Sequence, residues 1–221
     1  MAVVSSRTKY FKSRDLPSEG ALPGVLIRLM MAINDVSLAA DADVMWVETL
    51  EQRRAHRKNR ARTYFVRLIM SHVHEALAIV SEIDGNAELR AAVDKCDART
   101  RANFTKLVAL LKSPERGHLY RFRTKTTFHY DKAIPRDTLK KVVEHDPDAV
   151  WGYSVGSRPL DWHYQIADAV VDRMVVRYVL GADEPNSPAR RKKVEEIALR
   201  LDEVVSLLTE FATHFIQRSL R

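Results

Sequence analysis

The sequence predicts an all-α fold, a bundle of about six to eight helices. Three observations carry that expectation. Apolar residues recur at spacings of three and four along most of the chain, the period of a helix with one buried face. Only seven glycines occur among 221 residues, whereas strand-and-hairpin proteins use glycine at their turns. No stretch shows the strict apolar–polar alternation of a half-buried strand.

The elements follow in chain order. Residues 1–20 are polar and mixed, and read as a loosely held arm ahead of a single all-α domain over 21–221. Pro23 is placed to open the first helix. Leu26, Leu29, Met30, Ile33, Val36, Ala40, Val44, Val47 and Leu50 then mark one long face. The basic run "QRRAHRKNRAR", 52–62, separates this from a second helix and reads as a loop or frayed helix end. The second stripe is Phe65, Leu68, Ile69, His72, Ala76, Ile79, Val80 and Ile83, and "DGN" at 84–86 is expected to stop it through a left-handed residue. "AELRAAVDKC" predicts a short helix. "DARTRANFTKLVALLK" predicts another, with Asp97 as N-cap. Ser113 and Pro114 open the helix that carries "RFRTKTTFHYDK", 121–132. "PRDTLKKVVEHDPD" gives a further short helix. The stretch 150–159 holds two glycines and a proline and reads as an ordered loop or short hairpin. "LDWHYQIADAVVDRMVVRYVLG" reads as helical throughout, with Gly181 as its stop. Ser187 and Pro188 open the last helix. Its Val194, Ile197, Leu201, Val204, Leu208, Phe211 and Phe215 form a heptad-like seam.

Composition narrows the function classes. The single Cys96 excludes an internal disulfide framework and fits a reducing cytoplasm. No unbroken apolar run approaches the roughly 20 residues of a membrane span, and "MAVVSSRTKYFKSRD" lacks the apolar core of a secretory signal. A cytoplasmic protein with no membrane partner is expected. The net charge is +7, which favours polyanionic partners such as RNA.

The sites of metal and nucleotide chemistry are not apparent. In "HVHE", His72 and His74 point about 200° apart on a helix turning roughly 100° per residue, so they cannot share a metal. His72 falls on the apolar stripe and reads as a core histidine. His74 and Glu75 fall on its flank, lining a cavity or facing solvent. HExxH, CxxC, the Gly-rich phosphate loops and GxSxG are all missing from the sequence. Neither a metal nor a cofactor is expected.

Three basic groups remain. Arg53, Arg54, Arg57, Lys58, Arg60 and Arg62 crowd 53–62 without one acid. Arg190, Arg191, Lys192 and Lys193 sit in the first turns of the last helix, where cations oppose the helix dipole, and Glu195 and Glu196 partly offset them. Both clusters could hold an RNA backbone or simply be solvated. The third group, with Arg121 and Lys132 at its ends, includes Lys125 and His129, four apart on one face. A cation beside an imidazole disfavours its protonated form, so His129 could accept a proton near neutral pH. Arg123 could hold a phosphodiester bidentately, and Tyr130 could stack on a base. These parts suit cleavage of RNA by its own 2′-hydroxyl, which requires acid–base help and anion stabilisation. Arg123 and His129 diverge by about 120° and about 9 Å on an ideal helix. A kink, or a second copy of the helix across a two-fold axis, would have to bring them together.

The run Arg123–Asp131, "RTKTTFHYD", resembles the signature of the HEPN superfamily: an arginine, a polar residue and, four to six positions on, a histidine. The resemblance covers about 20–135 and implies a helical core there; 136–221 read as additional helices that it does not explain. It implies a homodimer and a metal-independent endoribonuclease, a toxin or defence component with a possible protein antitoxin. Arg123 and His129 would be the catalytic pair, supported by Thr124, Lys125 and Tyr130. Thr124 stands where asparagine is commonest. The alternative is a non-catalytic all-helical interaction protein, binding a protein or nucleic acid through the last helix or the basic surface.

Overall fold

The computed structural model describes residues 11–12, 15–49, 58–127, 133–155, 163–181 and 188–220; the side chains of 47–49, 58–60, 127, 188–191 and 193 lie outside that description. Among the described residues there are eight helices and one two-stranded ribbon. They are α1 (Leu22–Thr49), α2 (Lys58–Gly85), α3 (Ala87–Asp94), α4 (Ala98–Leu110), α5 (Pro114–Arg121), α6 (Ala133–His145), β1 (Tyr153–Ser154), β2 (His163–Tyr164), α7 (Gln165–Met174) and α8 (Pro188–Ser219). The all-α expectation holds.

The most extensive pairing among the described helices is between α1 and α2. Their cross-helix ion pairs are Arg28–Glu82 at 2.7 Å, Asp35–His72 at 3.5 Å and Asp43–Arg62 at 3.9 Å. One partner's number rises as the other's falls, so the helices run antiparallel. Arg28 donates to Glu82, and that hydrogen bond holds the Glu82 carboxyl below its usual range. Both groups are half exposed, so screening limits what the pair contributes.

Beneath this pair lies a single apolar core. Val25, Leu26 and Leu29 of α1 meet Val73, Leu77, Val80 and Ile83 of α2, and α8 adds Leu201, Val204, Leu208, Phe211 and Phe215. The seam on α8 is therefore consumed inside the fold and faces α4, where Phe104 packs 5.3 Å from Phe211. The stripes on α1 and α2 are offset from the expected ones. Ala39 is buried in place of Ala40, and Val44 is exposed. On α2, Met70 and Val73 are buried while His72 is only partly covered. In both helices several neighbouring residues are apolar, so spacing alone leaves the phase open by one residue.

Within Leu22–Trp46 an 18-residue stretch reaches a mean hydropathy of 1.4, apolar enough to cross a membrane by length and composition alone. Arg28, Asp35, Asp41 and Asp43 break that run in the sequence, which is why no continuous apolar stretch is visible there.

Local stops follow capping chemistry. Asn86 is extended and accepts from the Glu88 and Leu89 amides, so α2 ends on the N-cap of α3 and not on a left-handed glycine. Asp97 accepts from the Thr100 amide at 2.9 Å, as expected of an N-cap. Gly181 takes the left-handed conformation, φ 62°, that ends the α7 segment. The hairpin pairs Tyr153 with Tyr164 and Ser154 with His163, so α7 begins at Gln165, later than the periodicity predicts.

Candidate functional site

The motif helix does not stay α-helical. After Arg121 it becomes a π turn over Phe122–Thr127, "FRTKTT". α7 does the same over Val175–Val179. Bonds in a π turn run from i to i+5, and such turns mark functional sites more often than chance. The two turns pack on each other. His118 Nδ1 donates to the Val179 carbonyl at 2.6 Å, and Arg121 Nε donates to the same oxygen at 3.2 Å. On the other side Arg67 Nη1 donates to the Thr126 carbonyl at 2.6 Å. Side chains from α2 and α5 thus satisfy carbonyls that an uninterrupted α-helix would satisfy internally. Two threonines back-bond within the turn, Thr124 Oγ1 to the Tyr120 carbonyl at 2.8 Å and Thr126 Oγ1 to the Phe122 carbonyl at 3.0 Å.

This turn sets where the predicted residues go. Arg123 is about one-third exposed and donates from Nε to Glu75 Oε1 at 2.6 Å. Glu75 in turn lines a groove of about 350 Å³ between α1 and α2, together with Arg28, Asp35, His72 and Glu82. His74 lies beside the pair, edge-on to Tyr120 at 5.7 Å between centroids. Burial pushes the His74 pKa below the ordinary 6.5; Glu75 opposes this, while Arg116 and Arg123 add to it. Its Nδ1 is buried and meets no hydrogen-bond partner among the described residues. The result is a guanidinium beside a carboxylate and an imidazole whose protonation burial disfavours.

Other predicted residues are dispersed. Lys125 faces a second cavity, on the α6 and α7 side. Arg121, expected with the two basic clusters to bind RNA, donates from Nε to the Val179 carbonyl at 3.2 Å. The Thr124 hydroxyl is occupied by backbone. Arg62 is exposed near Asp43, and Lys192 is exposed on α8. His129, Tyr130, Arg53, Arg54 and Arg57 lie outside the described residues, as do the side chains of Lys58, Arg60, Arg190, Arg191 and Lys193. Arg123 itself sits on the π turn, so its direction is not that of an ideal α-helix.

His72 corrects the expectation of a core histidine: it faces Asp35 and lines the groove. His72 and His74 do point to different helices, α1 and α5. Sequence reasoning missed the roles of Glu75 and His74. The signal was the flank position of "HVHE", which placed both off the core stripe without naming a partner.

No family model matches the chain, and neither a curated protein nor a solved structure matches it.

Proposed function

We propose that this chain is a metal-independent endoribonuclease of the HEPN type, in which Arg123 holds the phosphodiester and His129 moves the proton. The carrying observation is the Arg123 guanidinium, held on a π turn against Glu75 of the α1–α2 groove, with the His74 imidazole, its pKa lowered by burial, beside the pair. An anion approaching Arg123 competes with Glu75 for a charge-assisted bond. The guanidinium then offsets charge that grows on the phosphate. The exposed Arg62 and Lys192 extend positive charge along the surface, which makes binding fall with salt. A second copy, with its motif helix across a two-fold axis, would complete the site, and such an activity would suit a toxin or defence component held by a protein antitoxin.

The test is RNA cleavage in EDTA. Wild type is expected to cleave, and Arg123→Ala and His129→Ala to lose about 100-fold or more. Equal rates in all three, or no cleavage by wild type, end the proposal. A larger loss in His74→Gln than in His129→Ala would move the acid–base role to His74.

A second reading, a non-catalytic interaction protein, draws on α1. Met31, Leu38 and Met45 recur every seven residues and are 59%, 70% and 63% exposed. This reading predicts no cleavage, and an oligomer in sedimentation that Leu38→Glu dissociates.

A further inference from the structure

Arg116, Tyr120 and Arg123 follow one another at spacings of four and three. That spacing puts them on one face of α5 where it runs into the π turn. Contacts with two consecutive residues of α2 fix which face it is. Tyr120 meets His74 edge-on at 5.7 Å between centroids, and Arg123 donates to Glu75 at 2.6 Å. An edge contact occupies at most one face of the tyrosine ring, and Tyr120 is 55% exposed, so ring surface remains for another partner. Arg116 donates from Nη1 to the Leu111 carbonyl at 3.2 Å, which steadies its guanidinium beside the start of α5. The positive charges of Arg116 and Arg123 both reach His74. An exposed aromatic ring therefore stands between two guanidiniums about 10 Å apart along the helix.

A free phosphate or a lipid headgroup would engage the cations and leave the ring idle. A nucleic acid strand uses all three, because its phosphates meet guanidiniums and its bases stack on aromatic faces. Neither guanidinium has to be unpaired for this. Each carries five N–H donors, so Arg116 can keep Leu111, and Arg123 can keep or exchange Glu75, as a phosphate arrives. We propose that Arg116 and Tyr120 form a nucleotide subsite beside Arg123, in which Tyr120 stacks on one unpaired base and Arg116 holds another phosphate of the same strand. The subsite rests on the reading of Arg123 as a phosphodiester contact, and adds to it the residues that place the strand.

Fluorescence anisotropy of the full chain with a short 2′-O-methyl RNA strand tests it. That strand keeps its bases and phosphates and lacks the attacking hydroxyl, so binding is read without cleavage. Wild type is expected to bind it on the order of tenfold more tightly than an abasic strand of the same length. Tyr120→Leu is expected to lose that preference and to bind the abasic strand as wild type does, whereas Tyr120→Phe keeps the ring and the preference. Arg116→Gln is expected to weaken both strands alike, and to lower the slope of log affinity against log salt by about 0.7, one phosphate contact of a single strand. Circular dichroism checks that the variants stay helical. No binding by wild type, or equal affinity for the strands with and without bases, overturns the proposal. So does the full preference in folded Tyr120→Leu, or an unchanged salt slope in Arg116→Gln. The nuclease reading fails separately. Base-dependent binding through Tyr120 without cleavage of ordinary RNA keeps the subsite and ends the nuclease; cleavage with affinities unmoved by Tyr120→Leu and Arg116→Gln does the reverse.

Discussion

The two sides of this bundle are built from different kinds of helix. On one side, α3 and α4 begin on side-chain caps at Asn86 and Asp97, and α4 and α8 meet through Phe104, Phe211 and Phe215. On the other, α5 and α7 begin at Ser113 and Tyr164 without a side-chain cap bond, and both run into π turns. Their carbonyls are satisfied from neighbouring helices, and an apolar cavity opens beside them. The capped side concentrates fully buried aromatic area. The π side carries Arg121 and Arg123, sets Tyr120 against the His74 ring of α2 and holds the site proposed above. Regular packing stabilises the chain, whereas irregular backbone aims side chains outward and leaves room for ligands.

The comparison can be broken by mutation. Phe211→Ala removes a fully buried ring stacked on Phe215 and is expected to cost about 3–5 kcal/mol in chemical denaturation. Met174→Ala, at the wall of an existing cavity, is expected to cost about 2 kcal/mol, near the lower end for such truncations. Equal losses would mean the two sides are packed alike. Asn86→Ala removes an acceptor of two amides and is expected to lower stability by about 1 kcal/mol, read as a shift in denaturation midpoint at constant slope.

Acid sharpens the contrast. His74 has a folded pKa below its unfolded value of 6.5, so between the two values the unfolded chain binds the extra proton. The stability His74 contributes is present above about pH 6.5 and lost as pH falls toward the folded value. Melting temperature is expected to drop between pH 7.5 and pH 5.5 in wild type, and less in His74→Gln; an identical drop would remove His74 as a cause. The smallest effect is expected from Glu75→Gln. Its pair with Arg123 is partly exposed, so stability should change by no more than about 1 kcal/mol, and a larger loss would make the pair structural.

Much of the fold was legible because helices announce themselves locally. The α8 seam, the Asp97 cap, the Pro114 start and the Gly181 stop each depend on residues a few positions apart. The phase of α1 and α2 was less so, since Ile69, Met70, His72 and Val73 offer two faces and only the partner helix chooses between them. Of the candidate site, Arg123 and its motif were visible. The pairing with Glu75, 48 residues away, was not.

By itself, then, the sequence determined an all-α chain, the Asp97 cap, the Pro114 start, the Gly181 stop and the apolar seam of α8, because each rests on short-range periodicity and backbone donors close in sequence. The tertiary structure decided the two π turns, the burial that lowers the His74 pKa and the bond from Arg121 to the Val179 carbonyl. A π turn needs outside donors for its carbonyls, and only packing brings His118, Arg121 and Arg67 to them.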